Sequence, residues 1–393
     1  MSEPILDRRP NARPFTSIGR EACESSVRFL TLIRIDAEFA AVHESDPTDE
    51  AFSMARNLIT DVGGVLVGSA DDERLASGAT VVLFEEPAVA SIAMNGGAPA
   101  LRDTALLEPE MTIERVDGFV LSGGSAFGLD AAGGAMTYLL EIGRGFEHRG
   151  ARVPIMPGAS LFDLLNGGDK AWGRKPPYWD MGLKAASAAS VDFALGTAGA
   201  GFGATTYDLK GGLGSASAVT SSGFHVGALV VVNSVGRATR GESPYFWAAP
   251  YERQTEFGGL GFGPKHIDDH LTLRLKSDTP SSTDLMVVVT DAALSATQLK
   301  RVATMAQDGC ALALRPAHAP MDNDVVFAAA TARASAVPDL RDLTEIGMLC
   351  AECVARAIAR GVYEATPLSV PGAQPAWRQR RAMHPTLSDV GLD

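Results

Sequence analysis

The chain has 393 residues, 46% of them hydrophobic, enough to build one large core or two smaller ones. Its formal net charge of −13 repels phosphate backbones and argues against a nucleic-acid partner. We expect no membrane association, because no apolar run reaches the roughly 18 residues that a spanning helix needs. The polar N-terminus lacks a signal-peptide core, so the expected location is cytoplasmic.

The composition changes twice along the chain. Residues 1–55 are polar and then helical in pattern, which predicts an N-terminal extension. Residues 56–366 alternate short apolar runs, glycine-rich turns and helical stretches, as in strands covered by helices. We therefore predict an α/β catalytic domain there. Residues 367–393 are rich in proline and polar residues and predict a loose C-terminal tail.

Within this domain, period-2 and continuous apolar runs predict strands, and longer 3.6-period runs predict helices. Strands are predicted at 59–68, 78–86, 88–94, 116–124, 226–234, 284–292 and 325–331. Helices are predicted at 125–143, 183–195, 295–314 and 339–365. Small residues in the first helix indicate close packing. Residues 236–270 form an unusually long irregular stretch, which indicates a functional or exposed loop.

The four cysteines are too few for a disulfide framework in a chain of this length. Cys350 and Cys353 form a CxxC pair, but a second pair that would complete a zinc site is missing. Their apolar helical surroundings predict buried thiols. The segment HIDDH at 266–270 could present two histidines to a metal, although a solvated loop is the simpler interpretation. We expect neither a metal nor another cofactor.

A row of hydroxyl groups precedes the predicted strand at 284–292. Ser281, Ser282 and Thr283 lie in a polar turn, and a hydroxyl at the start of a buried strand is held rigidly. Taken alone, this pattern is most simply a strand-starting turn, because Ser and Thr favour turns. It is therefore the surroundings of the turn that indicate a site.

Two further polar groups occur at strand ends. Asp322 and Asp324 stand just before the strand at 325–331, and alternate residues of an extended segment face the same side. Asn233 ends the strand at 226–234. A buried amide must find a partner or stabilise negative charge. The pattern is consistent with two carboxylates and an amide converging on one site.

Several motifs in this order resemble a known family. They include NLITDVGGVLVG, MNGGAPALRDTALLEPE, VDGFVLSGGSAFGLDAA, VPIMPGASLFDL, KGGLGSAS, VGALVVVNSVG and RPAHAPMDNDVVFAAAT, within residues 56–365. The chain resembles the self-processing aminopeptidases with N-terminal Ser or Thr nucleophiles. These comprise L-aminopeptidase/D-amidase-esterases, β-aminopeptidases and 6-aminohexanoate-oligomer (nylon-oligomer) hydrolases. The resemblance implies a four-layer α/β/β/α sandwich, no metal, and a homo-oligomer, expected to be a tetramer of processed protomers.

The resemblance also implies cleavage between Ser282 and Thr283, which would make Thr283 the N-terminus of a second polypeptide. The new α-amine would serve as the base for its own hydroxyl. Such an amine titrates near 7.7–8.0 when unperturbed, which suits base chemistry at neutral pH. An acyl-Thr intermediate would follow from attack of Thr283 on an amide.

Four further positions match the family's site, and the match of a fifth, Lys210, is open. Asn233 matches the residue that helps to hold the oxyanion, and Asp322 and Asp324 match the carboxylates that orient the nucleophile and its amine. Tyr178 matches a tyrosine that lines the site. Relatives carry a lysine soon after a GAGxGAT run; here Lys210 either replaces it or matches only the structural KGG.

Two departures from the family pattern flank the nucleophile. Ser282 stands where relatives commonly have Asn or Gly, and Asp284 stands where they usually have an uncharged residue. Both bear on the rate of self-cleavage. His318, near the paired aspartates, is interpreted as structural rather than as a base.

The predicted function is amide hydrolysis, in one of two versions. One is an aminopeptidase acting on short peptides or amino-acid amides, and the other cleaves linear oligoamides such as 6-aminohexanoate oligomers. Thr283 with both Asp322 and Asp324 favours the oligoamide branch, which it resembles at these positions. Two alternatives remain: acyl transfer like that of the ornithine acetyltransferases, and an uncleaved binding protein of the same fold.

Overall fold

The computed structural model describes residues 56–268, 271–276 and 283–383. The predicted N-terminal extension at 1–55, the residue Ser282 and the end of the HIDDH segment lie outside the described residues. The part of the chain that is described contains eleven strands, six α-helices and short 3₁₀ turns.

The strands begin near the start of the predicted catalytic domain, and the last of them follows Asp322 and Asp324. They are β1 (Val65–Asp72), β2 (Ser77–Met94), β3 (Leu101–Arg102), β4 (Arg115–Ser122), β5 (Phe146–His148), β6 (Ala151–Val153), β7 (Gly158–Ser160), β8 (Gly212–Val219), β9 (His225–Val232), β10 (Leu285–Thr290) and β11 (Val325–Ala330). The two runs predicted at 78–86 and 88–94 are one continuous strand, β2. The glycine-rich run at 211–217, which gave no strand signal, lies mostly in β8.

One nine-stranded sheet contains every strand except the β5–β6 hairpin. Its order is β3-β7-β4-β2-β11-β10-β9-β8, and β1 also pairs with β2. The first part of β2 pairs with β1, and its last residues pair with β11. A register shift between Leu83 and Ala88 interrupts its ladder with β4. β2 therefore belongs to two portions of the sheet, β1-β2-β4-β7-β3 and β2-β11-β10-β9-β8.

The alternation of side chains along these strands separates three apolar clusters. One contains Phe119 of β4 and Phe327 of β11, whose rings stack at 4.8 Å, so it lies between the two sheet portions. A second joins β2 and β4 to the first two helices, and a third joins β9, β10 and β11 to the later helices. Successive residues of a strand point to opposite faces, so each portion is covered on both sides. The layers are therefore α/β/β/α, as the resemblance implied.

The helices correct several predicted bounds. They are α1 (Ala131–Glu141), α2 (Tyr178–Ser187), α3 (Ala296–Ala306), α4 (Asp308–Ala313), α5 (Leu340–Tyr363) and α6 (Trp377–Met383). The helix predicted at 125–143 begins with a 3₁₀ turn at Ser125–Asp130, and the one at 295–314 is broken at Gln307. The helix predicted at 183–195 starts at Tyr178 and ends at Ser187, and Ser190 after it pairs with Val67 of β1 in an isolated bridge.

Close packing through small residues, expected for α1, is seen where α1 crosses α2. A Cβ on Gly134 would lie 1.9 Å from the carbonyl oxygen of Trp179, and a Cβ on Gly182 would lie 1.9 Å from that of Ala131. No L side chain fits such gaps, so the two backbones approach as closely as glycine permits.

The expectation of buried thiols is confirmed for Cys350 and Cys353, which are free and inaccessible on α5. Residues 236–268 are irregular as expected, apart from a 3₁₀ turn at Ala249–Tyr251 and isolated bridges. Across the described ranges, every helix is too short or too polar to traverse a bilayer.

The residues after 366 are not uniformly loose, because α6 packs onto the core. Trp377 is 2% exposed, its ring lies 5.5 Å from that of Phe246 and 5.0 Å from that of Tyr363, and its Nε1 donates to the carbonyl of Pro244 at 3.0 Å. The proline-rich composition of the residues before Trp377 did not indicate that this tryptophan would be buried.

Replacing Trp377 by alanine should lower the free energy of unfolding by about 3–5 kcal/mol, because it removes a fully buried indole. Urea unfolding followed by circular dichroism measures the change. Leu340→Ala is the control, since Leu340 is 81% exposed and its truncation should cost no more than about 0.5 kcal/mol. Equal stability of Trp377→Ala and wild type would show that the C-terminal helix is dispensable.

Candidate active site

Three strands meet at one edge of the sheet, where the predicted site residues collect. β10 runs parallel to β11 and antiparallel to β9, so the starts of β10 and β11 lie beside the end of β9. Thr283 donates its backbone N–H to the carbonyl of Asn233 at 3.0 Å. Continuing the register of β10 and β11 places Asn323 on the other side of Thr283. All three residues are buried.

The side chains of these residues share the face between the two sheet portions. The Nδ2 group of Asn233 donates to the carbonyl of Phe162, and that of Asn323 donates to the carbonyl of Ser160, both at 3.2 Å. Leu285, two residues after Thr283, packs in the inter-sheet cluster. Because alternate residues share a face, the candidate nucleophile lies between two carboxamides.

The orientation of the Asn233 carboxamide is fixed by two donors. Its Oδ1 accepts from the N–H of Thr205 at 3.1 Å and from Nζ of Lys276 at 2.8 Å. This identifies the opposite end as the Nδ2 group. Among the described residues, Nδ2 has the Phe162 carbonyl as its one acceptor, so one N–H is left for a ligand. That arrangement suits an oxyanion donor.

Three carboxylates cluster around the start of β10 and β11. Asp284 accepts from the backbone N–H of Asn233 at 2.9 Å, and its own N–H donates to Oδ1 of Asp324 at 3.3 Å. Burial and the neighbouring carboxylates raise the pKa of Asp284 well above its usual range. Burial and Asp324 likewise raise the pKa of Asp322 to about 7. Asp284 and Asp322 therefore hold protons at pH values where a free carboxyl is ionised.

His318 and Cys310 contact Asp324 from the helix side of the sheet. Oδ2 of Asp324 accepts from the backbone N–H of His318 at 2.8 Å, and its distance to His318 Nδ1 is 2.7 Å. The Cys310 thiol approaches the same oxygen at 3.8 Å. The potential metal-ligand atoms of these three side chains lie within 4.8 Å of one another and could hold a metal ion. Here His318 and Cys310 instead contact the Asp324 carboxylate. The bond to Asp324 raises the pKa of His318 and favours imidazolium.

Lys210 is buried behind the site. Its Nζ donates to three backbone carbonyls, of Gly201, Ala204 and Gly211, at 2.8–2.9 Å. Burial and the nearby charge of Lys276 lower the pKa of Lys210 to about 7. Its contacts hold the loop at 201–211, and its direct role in catalysis stays a prediction.

Tyr178 lies at the start of α2 and is fully buried. Its hydroxyl is 3.2 Å from Oγ of Ser77, which donates to Asp163 at 2.5 Å. Burial raises the pKa of Tyr178, so the phenol stays protonated. Its contacts reach the site through Asp163 rather than through Thr283 or Asn233, and its role as a site-lining residue stays a prediction.

A cavity of about 400 Å³ opens beside the Asn233 carboxamide. It contains Asp163 and the ammonium groups of Lys210 and Lys276, and its apolar wall includes Phe162 and Leu368. The remaining lining residues are Leu165, Asn166, Gly203, Thr205, Met321, Gly372, Ala373 and Gln374. A largely apolar cavity with a few charged groups suits an aliphatic ligand that carries polar ends.

Two residues of this site, Asn323 and Lys276, were not predicted from the sequence. Asn323 stands between the two predicted aspartates, and its Oδ1 is buried without a hydrogen-bond partner among the described residues. The strand register could have indicated it, because it is the cross-strand neighbour of Thr283. Lys276 lies seven residues before Thr283 in a loop, where the sequence offers no signal.

Asp284→Asn should stabilise the folded protein, because it removes one of three mutually repelling carboxylates and keeps an acceptor for the Asn233 N–H. A carboxyl whose folded-state pKa is raised destabilises the protein increasingly as pH rises from its unfolded pKa, by about 1.4 kcal/mol per pH unit up to its folded pKa. The stabilisation should therefore be larger at pH 8 than at pH 5.

Thermal melting of both proteins at the two pH values measures this difference. Asp268→Asn, at an exposed position, provides the control and should show little effect at either pH. A gain for Asp284→Asn that is equal at pH 5 and pH 8 would contradict the raised pKa.

Known proteins are similar to this chain in sequence and in fold. The model of peptidase family S58 matches residues 57–374. An uncharacterized aminopeptidase of Mycobacterium tuberculosis is 40% identical over 337 residues, which cover 80% of this chain and 95% of that protein. The 6-aminohexanoate-oligomer endohydrolase of Paenarthrobacter ureafaciens is 26% identical over 315 residues, 72% of this chain and 80% of that enzyme.

A solved structure shows the same architecture. The L-aminopeptidase D-Ala-esterase/amidase of Ochrobactrum anthropi, described as a variant of the Ntn-hydrolase fold, superposes with a TM-score of 0.61 at 20% identity. The match covers 83% of this chain and 93% of that one. The layered α/β fold is thus that of the Ntn-hydrolase aminopeptidases. With a family model spanning most of its length and aminopeptidase relatives at 40% identity, this chain is a hydrolase of peptidase family S58.

Proposed function

We propose that the protein is a self-cleaving amide hydrolase in which Thr283 is the nucleophile. The observation that carries the proposal is the buried edge where the backbone of Thr283 bonds to Asn233 and the backbone of the next residue, Asp284, bonds to the Asp324 side chain. A hydroxyl at this point has a carboxamide donor on its own face of the sheet and carboxylates at the same strand ends on the opposite face. Those are the parts that nucleophilic attack on an amide requires.

Self-cleavage would begin with attack of Thr283 Oγ on the carbonyl carbon of Ser282. The new Oγ–C bond replaces the C–N bond between the two residues, and the hydroxyl proton passes to the departing nitrogen. Water then hydrolyses the ester and leaves a carboxylate on Ser282 and a free α-amine on Thr283. The backbone bond between Thr283 N and Asn233 O would retain this nitrogen at the site.

Hydrolysis of a substrate would use the same oxygen. The neutral α-amine accepts the Oγ proton while Oγ attacks the amide carbonyl, and the free N–H of Asn233 donates to the developing oxyanion. Collapse breaks the amide C–N bond, and the leaving amine takes the proton from the α-ammonium. Water attacks the acyl-Thr ester in the second half of the reaction and restores the hydroxyl.

The cavity favours a linear aliphatic amide as substrate. Phe162, Leu165, Met321 and Leu368 give it apolar walls, and the ammonium of Lys276 contacts the Asn233 carboxamide. A short peptide, an amino-acid amide or an oligoamide chain fits this distribution. The 26% identity to a 6-aminohexanoate-oligomer endohydrolase supports testing linear oligoamides first.

Acyl transfer to an amine is the competing reaction of the same acyl-Thr intermediate. The distinguishing measurement supplies an amide substrate with and without an added amine acceptor and follows both products by mass spectrometry. A hydrolase releases free acid as the main product at millimolar acceptor. Acyl-amine as the main product would assign the protein to the transferases, and the absence of both products across the panel would favour a binding protein.

Purified wild-type protein should consist of fragments of 282 and 111 residues, since 393 − 282 = 111, and these should remain associated under native conditions. Thr283→Ala should block both self-cleavage and amide hydrolysis, because one oxygen attacks in both reactions. Thr283→Ser should retain part of each. Intact mass and an amide panel provide the readouts, and full activity of an uncleaved Thr283→Ala protein would contradict the assignment.

Asn233→Ala should lower kcat by about 10²–10³-fold with a modest change in KM, because the lost N–H acts in the transition state. Steady-state kinetics on the processed enzyme tests this expectation. Asn95→Ala is the matched control, since Asn95 lies at the same edge with an exposed side chain. An unchanged kcat in Asn233→Ala would assign this residue a structural role.

A further inference from the structure

Lys276 makes a contact with the candidate oxyanion donor that its sequence position did not indicate. Its Nζ lies 2.8 Å from Oδ1 of Asn233 and 3.0 Å from the carbonyl oxygen of Thr205. Thr205 in turn donates its N–H to the same Oδ1 at 3.1 Å. The three groups form a closed set of hydrogen bonds around one end of the carboxamide.

Lys210, the other lysine in this cavity, takes a different part in this arrangement. Its Nζ donates to the backbone carbonyls of Gly201, Ala204 and Gly211, and none of these belongs to Asn233 or Thr283. Ala204 directly precedes Thr205 in the chain, and Gly201 lies four residues before it. Lys210 therefore supports the loop that carries Thr205, while Lys276 contacts the carboxamide itself.

We propose that Lys276 is a positioning residue for the amide-hydrolysis reaction: its ammonium holds the Asn233 carboxamide with Nδ2 facing the reacting carbonyl. This inference rests on the proposed function. A carboxamide can rotate by half a turn with little change in shape, and the rotated form would present an oxygen to the oxyanion. Two donors on Oδ1, one of them charged, oppose that rotation because an ammonium cannot accept a hydrogen bond from Nδ2.

The protonation of Lys276 depends on two opposing effects. Burial disfavours the ammonium, whereas the carboxylates of Asp284, Asp163 and Asp322 attract it. The net effect lowers the pKa of Lys276 to about 8. Deprotonation would leave a neutral amine, which holds the carboxamide oxygen less firmly.

The position of Lys276 in the chain adds a constraint. It precedes the proposed scissile bond by six residues and would remain on the first fragment after cleavage. The oxyanion donor of the processed enzyme would thus depend on a side chain near the new C-terminus of the first fragment. Positioning by Lys276 then requires that this C-terminal segment stays bound at the site.

The test compares Lys276→Met and Lys276→Arg with wild type in self-cleavage, followed by intact mass, and in steady-state hydrolysis of a linear amide. Lys276→Met should lower kcat about ten- to hundredfold, less than loss of the donor itself, with KM nearly unchanged. Lys276→Arg keeps a charged donor and should restore part of kcat. Lys265→Met, at an exposed position of the preceding loop, is the matched control and should behave as wild type.

The pH profile separates positioning from mere support of the fold. Wild-type kcat should fall above about pH 8 as Lys276 loses its proton. An arginine stays protonated throughout this range, so Lys276→Arg should keep its kcat to higher pH. Lys265→Met, the exposed control, should leave the alkaline limb in place.

Wild-type kcat and an unshifted alkaline limb in the Lys276 variants would overturn the proposal. Failure of the proposed function looks different, because wild type itself would then neither cleave itself nor hydrolyse amides. Circular dichroism and thermal melting of Lys276→Met show whether a lost kcat comes with an intact fold.

Discussion

The site depends on the pairing of β10 with β9 on one side and β11 on the other. Backbone hydrogen bonds of these two ladders fix which residues meet at the sheet edge, and so bring Thr283 between Asn233 and Asn323. A slip of one residue in β10 would turn Thr283 toward the helices and put Asp284 between the sheet portions. The buried apolar residues on both faces of β10 oppose such a slip, since it would exchange two well-packed sets of side chains.

Burial determines the protonation of the carboxyl groups at this edge of the sheet. Three carboxylates so close together cannot all be ionised in a medium that solvates charge poorly, which is why the pKa values of Asp284 and Asp322 are raised. Cations approach the group from two sides, with His318 on the helix side and Lys276 on the cavity side. A free α-amine on Thr283 would add a third positive partner between them. The net charge at these strand ends therefore depends on the protonation of Asp284 and Asp322.

Much of the fold could be predicted from local patterns, because β9, β10 and β11 are continuous apolar runs bounded by turn residues. The candidate site residues Thr283, Asn233, Asp322 and Asp324 could be proposed from the sequence, because they stand where such runs begin or end. Other features depend on tertiary contacts that leave no local pattern. β8 forms a strand although glycine and serine have low strand propensity. The helix α5 packs directly on it, and a Cβ on Gly214 would lie 1.8 Å from the Ala357 carbonyl oxygen. Lys276 reaches Asn233 across 43 positions of sequence, a distance over which spacing says nothing.

The long strand β2 has a consequence for how the domain unfolds. Its first part completes one portion of the sheet and its last part completes the other, with no break in the chain between them. Loss of either portion would strip hydrogen-bond partners from a strand that the other still needs, and would open the inter-sheet cluster where Phe119 meets Phe327. The two halves are therefore coupled like a single cooperative unit, and unfolding of the described domain should show one transition rather than two separable ones.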